Sequence, residues 1–151
     1  MQRHLIEGLV MFHLIYSSRE KQEFFPADLK ALLRDARLRN RDVGVTGILV
    51  YYGGRFLQAL EGEQPAVETI FARIEKDPRH GDIRVLSRTA ALGKRRVFGD
   101  LSMAFADTAG TANILKGFID LKSGLNLSDL DEVQALNILK SCSQKALAPA
   151  G

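Results

Sequence analysis

The chain has 151 residues, 46% hydrophobic and 26% charged, with a formal net charge of +3. That length holds one domain with a real core, and the composition excludes a disordered or fibrous chain. A lone cysteine, Cys142, excludes an internal disulfide framework, and the basic excess is spread, its densest run being Lys94-Arg95-Arg96, which argues against a nucleic-acid surface.

The first element is "LVMFHLIYSS" (Leu9 to Ser18), a β-rich apolar run ended by serines and charges, which reads as a strand buried on both faces. Pro26 suits a first helical residue, and Leu29, Leu32, Leu33 and Ala36 follow at helical spacing, predicting a helix to about Leu38. Val45–Tyr52 and Arg55–Glu61 read as strands joined by the hairpin signal Gly53-Gly54. Pro65 opens a second helix with the stripe Val67, Ile70, Phe71 and Ile74, and Asp77-Pro78 stops it. Ile83–Ala90 and Leu101–Phe105 complete the strands.

This order, β-α-β-β-α-β with an added fifth strand, predicts an α+β, ferredoxin-like fold. The first and third strands are then central neighbours, and both helices lie on one face. Two more amphipathic segments are expected to cover the other face. Thr111–Lys122 carries Ile114, Leu115, Phe118 and Ile119, and a last helix starts at Ser128, with Asp131 as a capping-box partner and Leu130, Val133, Leu136 and Leu139 along its apolar side. The expected organisation is a domain over 8–106, a helical extension over 107–143 and a frayed tail over 144–151. No apolar run approaches a membrane span, and Glu7 and His13 break the N-terminal stretch, so no membrane association and a cytoplasmic location are expected.

Phosphate-binding glycine loops, nucleophile elbows and cysteine or histidine clusters of metal spacing do not occur in the sequence. What remains is polar residues where apolar ones belong. Gln58 stands on a strand face that carries Phe56 and Leu60, and an amide buried there without partners costs roughly 1–3 kcal/mol. Tyr16 ends the first strand on the parity of Phe12 and Leu14, and Asn40 follows the first helix. Each has an ordinary reading, the tyrosine as a packed ring with a solvated hydroxyl and the asparagine as a cap. With the first and third strands adjacent, however, Tyr16 and Gln58 meet on one buried face. Together with two aliphatic helix stripes they outline a slot for a flat heterocycle with polar edges.

Tyr16, then "RN" and "GVTGILVYYGGRFLQALEG" between Arg39 and Gly62, "DPRHGDIRVL" (Asp77 to Leu86) and "RVFGDLSMAF" (Arg96 to Phe105) resemble, in that order, the BLUF domains, blue-light sensors that use FAD. The resemblance runs from about Val10 to Phe105. It implies a ring held between the two helices, with Leu32 and Ile74 on its faces and Asn40 bonded to its pyrimidine edge. Gln58 then bridges the flavin and Tyr16, Phe56 is the neighbouring aromatic, Arg79 and His80 lie near the cofactor's polar tail and ring edge, and Met103 sits near the glutamine. Leu101 stands where many members carry tryptophan, and Arg39 where a neutral polar residue or histidine is common.

The resemblance further implies non-covalent FAD, light-driven electron and proton transfer from Tyr16 through Gln58, and no catalytic turnover. With only two helices after residue 105, the expected output is contact with a separate protein partner or within a homo-oligomer. A ferredoxin-like small-ligand-binding domain, or an interaction module without photochemistry, fits the same topology.

Overall fold

The computed structural model describes residues 10–92, 96–98, 103–106 and 127–146. Leu101 and the predicted helix Thr111–Lys122 lie outside the described residues.

The first strand, β1, is Val10–Glu20, and its long buried stretch matches an apolar run covered on both faces. Helix α1 is Pro26–Asp42, opened by Pro26 and by the Asp28 carboxylate, which accepts the Phe25 N–H at 2.8 Å. It runs past the predicted end at Leu38. Nothing in Arg39 to Asp42 breaks a helix, and the first interruption is Gly44 at φ +70°. Asn40 therefore lies inside α1 instead of following it, and its carbonyl accepts the closing N–H groups of Val43 and Val45 at 3.2 and 3.0 Å. Strands β2 (Thr46–Tyr52) and β3 (Arg55–Gly62) form a hairpin whose tip, Gly53-Gly54, has φ +60° and +76°. That conformation suits glycine and fixes the strand register. Helix α2 (Gln64–Glu75), strand β4 (His80–Leu92) and strand β5 (Ala104–Ala106) follow.

The sheet order is β4-β1-β3-β2-β5, antiparallel except for the β2–β5 pair. Strands β1 and β3 are central neighbours, as the ferredoxin-like reading requires. On one face Phe12, Leu14, Tyr16, Leu49, Phe56 and Leu60 pack against Leu33 and Ala36 of α1 and Val67, Ile70, Phe71 and Ile74 of α2. The other face carries Ile15, Ile48, Val50, Leu57 and Ala59 under the last helix, α3 (Glu132–Ala146).

Helix α3 starts later than predicted. Ser128 lies in a single 3-10 turn, Leu127–Asp129, and the cap is Asp131. Its carboxylate accepts the Gln134 N–H at 2.8 Å, and the Gln134 amide oxygen accepts the Asp131 N–H at 3.0 Å. The buried stripe is Ala135, Ile138, Leu139 and Cys142, with Leu130 buried ahead of the helix and Leu136 at its edge, while Val133, predicted on the apolar side, is 65% exposed. No helix among the described residues is long and apolar enough to cross a membrane.

Candidate functional site

Pairing of β1 with β3 sets Tyr16 directly opposite Gln58 on the face that α1 and α2 cover. Each is 3% exposed. The Tyr16 hydroxyl donates to Gln58 Oε1, and Gln58 Nε2 donates to the Met103 sulfur at 3.3 Å. The Met103 carbonyl in turn accepts from Arg37 Nε at 3.0 Å, which ties the start of β5 to α1. The amide is thus oriented by its neighbours: the phenol needs an acceptor, and the thioether takes an N–H. Of the two N–H groups of Gln58, Met103 takes one.

Burial pushes the Tyr16 phenol well above the usual tyrosine value; Arg39 opposes the rise and Asp77 adds to it. The phenol is therefore a neutral donor. Burial likewise lowers the Arg39 guanidinium, with Tyr16 opposing, and Arg39 Nε is buried without a hydrogen-bond partner.

Tyr16 and Gln58 open onto a cleft with about 430 Å³ free of protein atoms. Leu32, Ala36 and Arg39 of α1 form one wall, Ile74 of α2 stands across from them, and Leu49 and Phe56 lie on the sheet. Phe24, Asp77, Arg79 and His80 complete the lining. Arg79 grips Asp77 through Nε at 3.0 Å and Nη2 at 2.6 Å, and its Nη1 reaches Asp35 at 3.5 Å. Burial raises the Asp77 carboxyl, but the bonds from Arg79 outweigh it and hold the group below its ordinary value. The same bonds raise the Arg79 guanidinium. The His80 ring is locked in the wall: Nε2 donates to the Ile74 carbonyl and Nδ1 meets the Ser18 hydroxyl, both at 2.7 Å.

Seven of the residues singled out in the sequence, Tyr16, Leu32, Phe56, Gln58, Ile74, Arg79 and His80, therefore line one cleft, and Met103 is bonded to Gln58. Asn40 is fully buried on the last turn of α1 but does not line the cleft; its neighbour Arg39 does. Sequence reasoning did not single out Phe24, Ala36, Leu49 or Asp77 as cleft residues. Ala36 had a usable signal, since it shares the helix phase of Leu32 and Leu33. The polar Asp77 reads as a helix stop and shows no sign of its cleft position.

The family model described as sensors of blue-light using FAD, BLUF, matches residues 11–104. A Euglena gracilis photoactivated adenylate cyclase subunit beta-like protein is 32% identical over 74% of this chain, which spans 12% of that relative. The chain spans only 8% of two further photoactivated adenylate cyclase beta subunits, from Euglena longa and Euglena gracilis. Among solved structures, the dark state of the BLUF protein BlrB superposes with a TM-score of 0.72 at 29% identity, covering 91% of this chain and 98% of that one. BlrP1 of Klebsiella pneumoniae, solved with FMN and cyclic diGMP, is 38% identical with a TM-score of 0.57 over 64% of this chain and 26% of that one. The chain belongs to the BLUF family of blue-light sensors.

Proposed function

We propose that this chain is a blue-light photoreceptor that holds FAD without a covalent bond and signals through its own hydrogen-bond network. The residues fit a flavin ring. Leu32 and Ala36 of α1 and Ile74 of α2 give the cleft apolar walls, the surfaces that the faces of a flat ring need. Gln58 and the desolvated Arg39 guanidinium are polar groups of the lining that can meet a ring edge; Asn40, the residue after Arg39, lies off the cleft wall, and its bond to the pyrimidine edge is part of the proposal. Arg79, only part of whose donor fork is used by Asp77 and Asp35, stands where a phosphate-bearing tail leaves the slot.

Bound flavin supplies blue-light absorption and an acceptor for an electron. The chain's residues supply the rest. Tyr16, buried and protonated, gives up an electron together with the proton it already directs at Gln58 Oε1. When that electron and proton have both returned to the phenol no net oxidation remains, and Gln58 is left rearranged. An amide has two nearly isosteric arrangements with opposite donor and acceptor ends, so the reversed one turns oxygen toward Met103 and changes the bond offered to the cleft. In a site closed to water such a network relaxes slowly.

The observation that carries this reading is the Tyr16–Gln58–Met103 chain beside a cleft walled by Leu32, Ala36 and Ile74. The chain acts as a sensor over 8–106, without turnover of its own, and its output passes through the segment over 107–143 to a protein partner or another copy. An absorption spectrum before and after blue light tests it: a yellow protein with a reversible red shift is expected. A colourless protein would favour a ligand-binding or interaction module. Chromatography of released cofactor decides between FAD and the FMN named with BlrP1, and FAD is expected.

A further inference from the structure

The sheet face away from the cleft holds a buried charge that the photochemistry leaves unused. Glu61 of β3 is fully buried, on the parity opposite to Gln58. Its Oε1 accepts the Phe98 N–H at 2.7 Å and its Oε2 the Val97 N–H at 2.8 Å. His13, the facing residue on β1, donates from Nδ1 to Oε2 at 2.8 Å. Arg96 adds three bonds from the same segment: Nη1 to Thr46 Oγ1 at 2.7 Å and to the Glu61 carbonyl at 2.8 Å, and Nη2 to the Gly44 carbonyl at 2.9 Å.

A carboxylate taken out of water is tolerated only when its lone pairs are met, and here two backbone amides and an imidazole meet them. By itself that describes a structural anchor. The further meaning comes from what it fastens. Phe98 is buried among Ile15, Leu57 and the α3 residues Ala135, Ile138 and Leu139. Further along the same connection is Met103, bonded to the Gln58 amide. One stretch of chain therefore touches both the cleft and the α3 layer, and Glu61 fastens it to the strand that carries Gln58.

We propose that Glu61 is a positioning residue for signal output: by clamping residues 96–98 to β3, it makes a change at Met103 move Phe98 against α3. Without the clamp, residues 96–98 are no longer held to β3 and Phe98 does not follow the change. The proposal rests on the photoreceptor reading above. A close-packed interior passes displacement between rigidly held groups, and the clamp supplies that rigidity.

The test compares amide exchange in the dark and under blue light, alongside absorption spectra, for the wild type, Glu61→Gln and Phe98→Leu. Glu61→Gln keeps the volume but turns an NH₂ toward a backbone N–H, so one anchor must open. Phe98→Leu leaves the clamp and removes the ring at its far end. All three proteins should show the same red shift, while the light-dependent exchange difference over residues 132–146 falls at least about fivefold in both variants. A difference of wild-type size in Glu61→Gln overturns the proposal, as does an α3 that does not respond in the wild type. If Glu61→Gln fails to hold flavin, Phe98→Leu decides, and a wild-type response there is equally fatal. A wild type without a red shift would instead remove the photoreceptor reading, and the coupling with it.

Discussion

Tyr16 and Gln58 are cross-strand partners, and the phenol of one donates to the amide oxygen of the other. Because the amide nitrogen passes a second bond to Met103, donor direction runs one way from β1 through β3 to the start of β5. Reversing the amide turns the Tyr16 contact round, its NH₂ then donating to the phenol oxygen, and loses the bond to Met103, because a thioether has no proton to donate. On the proposed reading, a strand position that would ordinarily hold leucine holds a two-position switch.

The alkaline limit of the response follows from burial. The folded Tyr16 phenol holds its proton at a pH where an unfolded tyrosine loses it. The red shift should keep its amplitude from about pH 8 to about pH 10.5, past the ordinary tyrosine pKa of about 10. Folded stability should fall once pH rises past about 10, because there the unfolded chain releases a proton that the folded chain retains. Thermal unfolding against pH checks the sign. The fall should be shallower in Tyr16→Phe but still present, since Tyr51, pushed up by burial and its bond to Glu20 to about 12, contributes in the same direction.

Arg79→Met separates tail binding from ring binding. Loss of the guanidinium should weaken FAD and FMN by about tenfold or more and leave riboflavin nearly unchanged, measured by fluorescence titration of the apoprotein. The substitution also strands Asp77. That carboxyl, held below its ordinary value by Arg79, contributes stability present above the unfolded pKa and lost as pH falls through the folded one. Without Arg79 the acid limb of the stability profile should move to higher pH. Equal weakening of riboflavin would reassign Arg79 to the ring.

Gly47 is a point of close approach. A Cβ there overlaps the Ala59 carbonyl oxygen and lies 3.4 Å from the Met103 terminal methyl. Backbone cannot yield as a flexible side chain does, so Gly47→Ala must push β2 from β3 and disturb Met103. Urea unfolding should show a loss of roughly 1–3 kcal/mol, with altered recovery after illumination. An unchanged midpoint would mean that the strands adjust freely.

The sequence carried the fold where punctuation and periodicity agreed: Pro26, Gly53-Gly54 and Pro65 bracket runs whose apolar spacing is unambiguous. It misled where a polar residue kept the helical phase. Asn40 continues the buried series Leu33 and Ala36, yet its chemistry reads as a terminus. The start of α3 failed for a related reason, because Ser128 and Asp131 both suit a cap and only the reciprocal bonds with Gln134 choose between them. Gln58 stood out as an amide on an apolar parity, and its cross-strand partner Tyr16 followed from strand order. Met103 near the glutamine came only with the family resemblance: Leu101–Phe105 reads as a strand, but its parallel pairing with β2 has no local signal. The locking of His80 by Ile74 and Ser18 is equally a product of tertiary closure.

The most direct test is the lit-minus-dark absorption spectrum of the wild type, Tyr16→Phe and Gln58→Leu at matched flavin occupancy. Tyr16→Phe keeps the ring and removes the donor hydroxyl, and Gln58→Leu keeps the volume and removes the amide. Both should hold flavin, and both should lose the reversible red shift that the wild type shows. A normal, reversible shift in both variants would contradict the account.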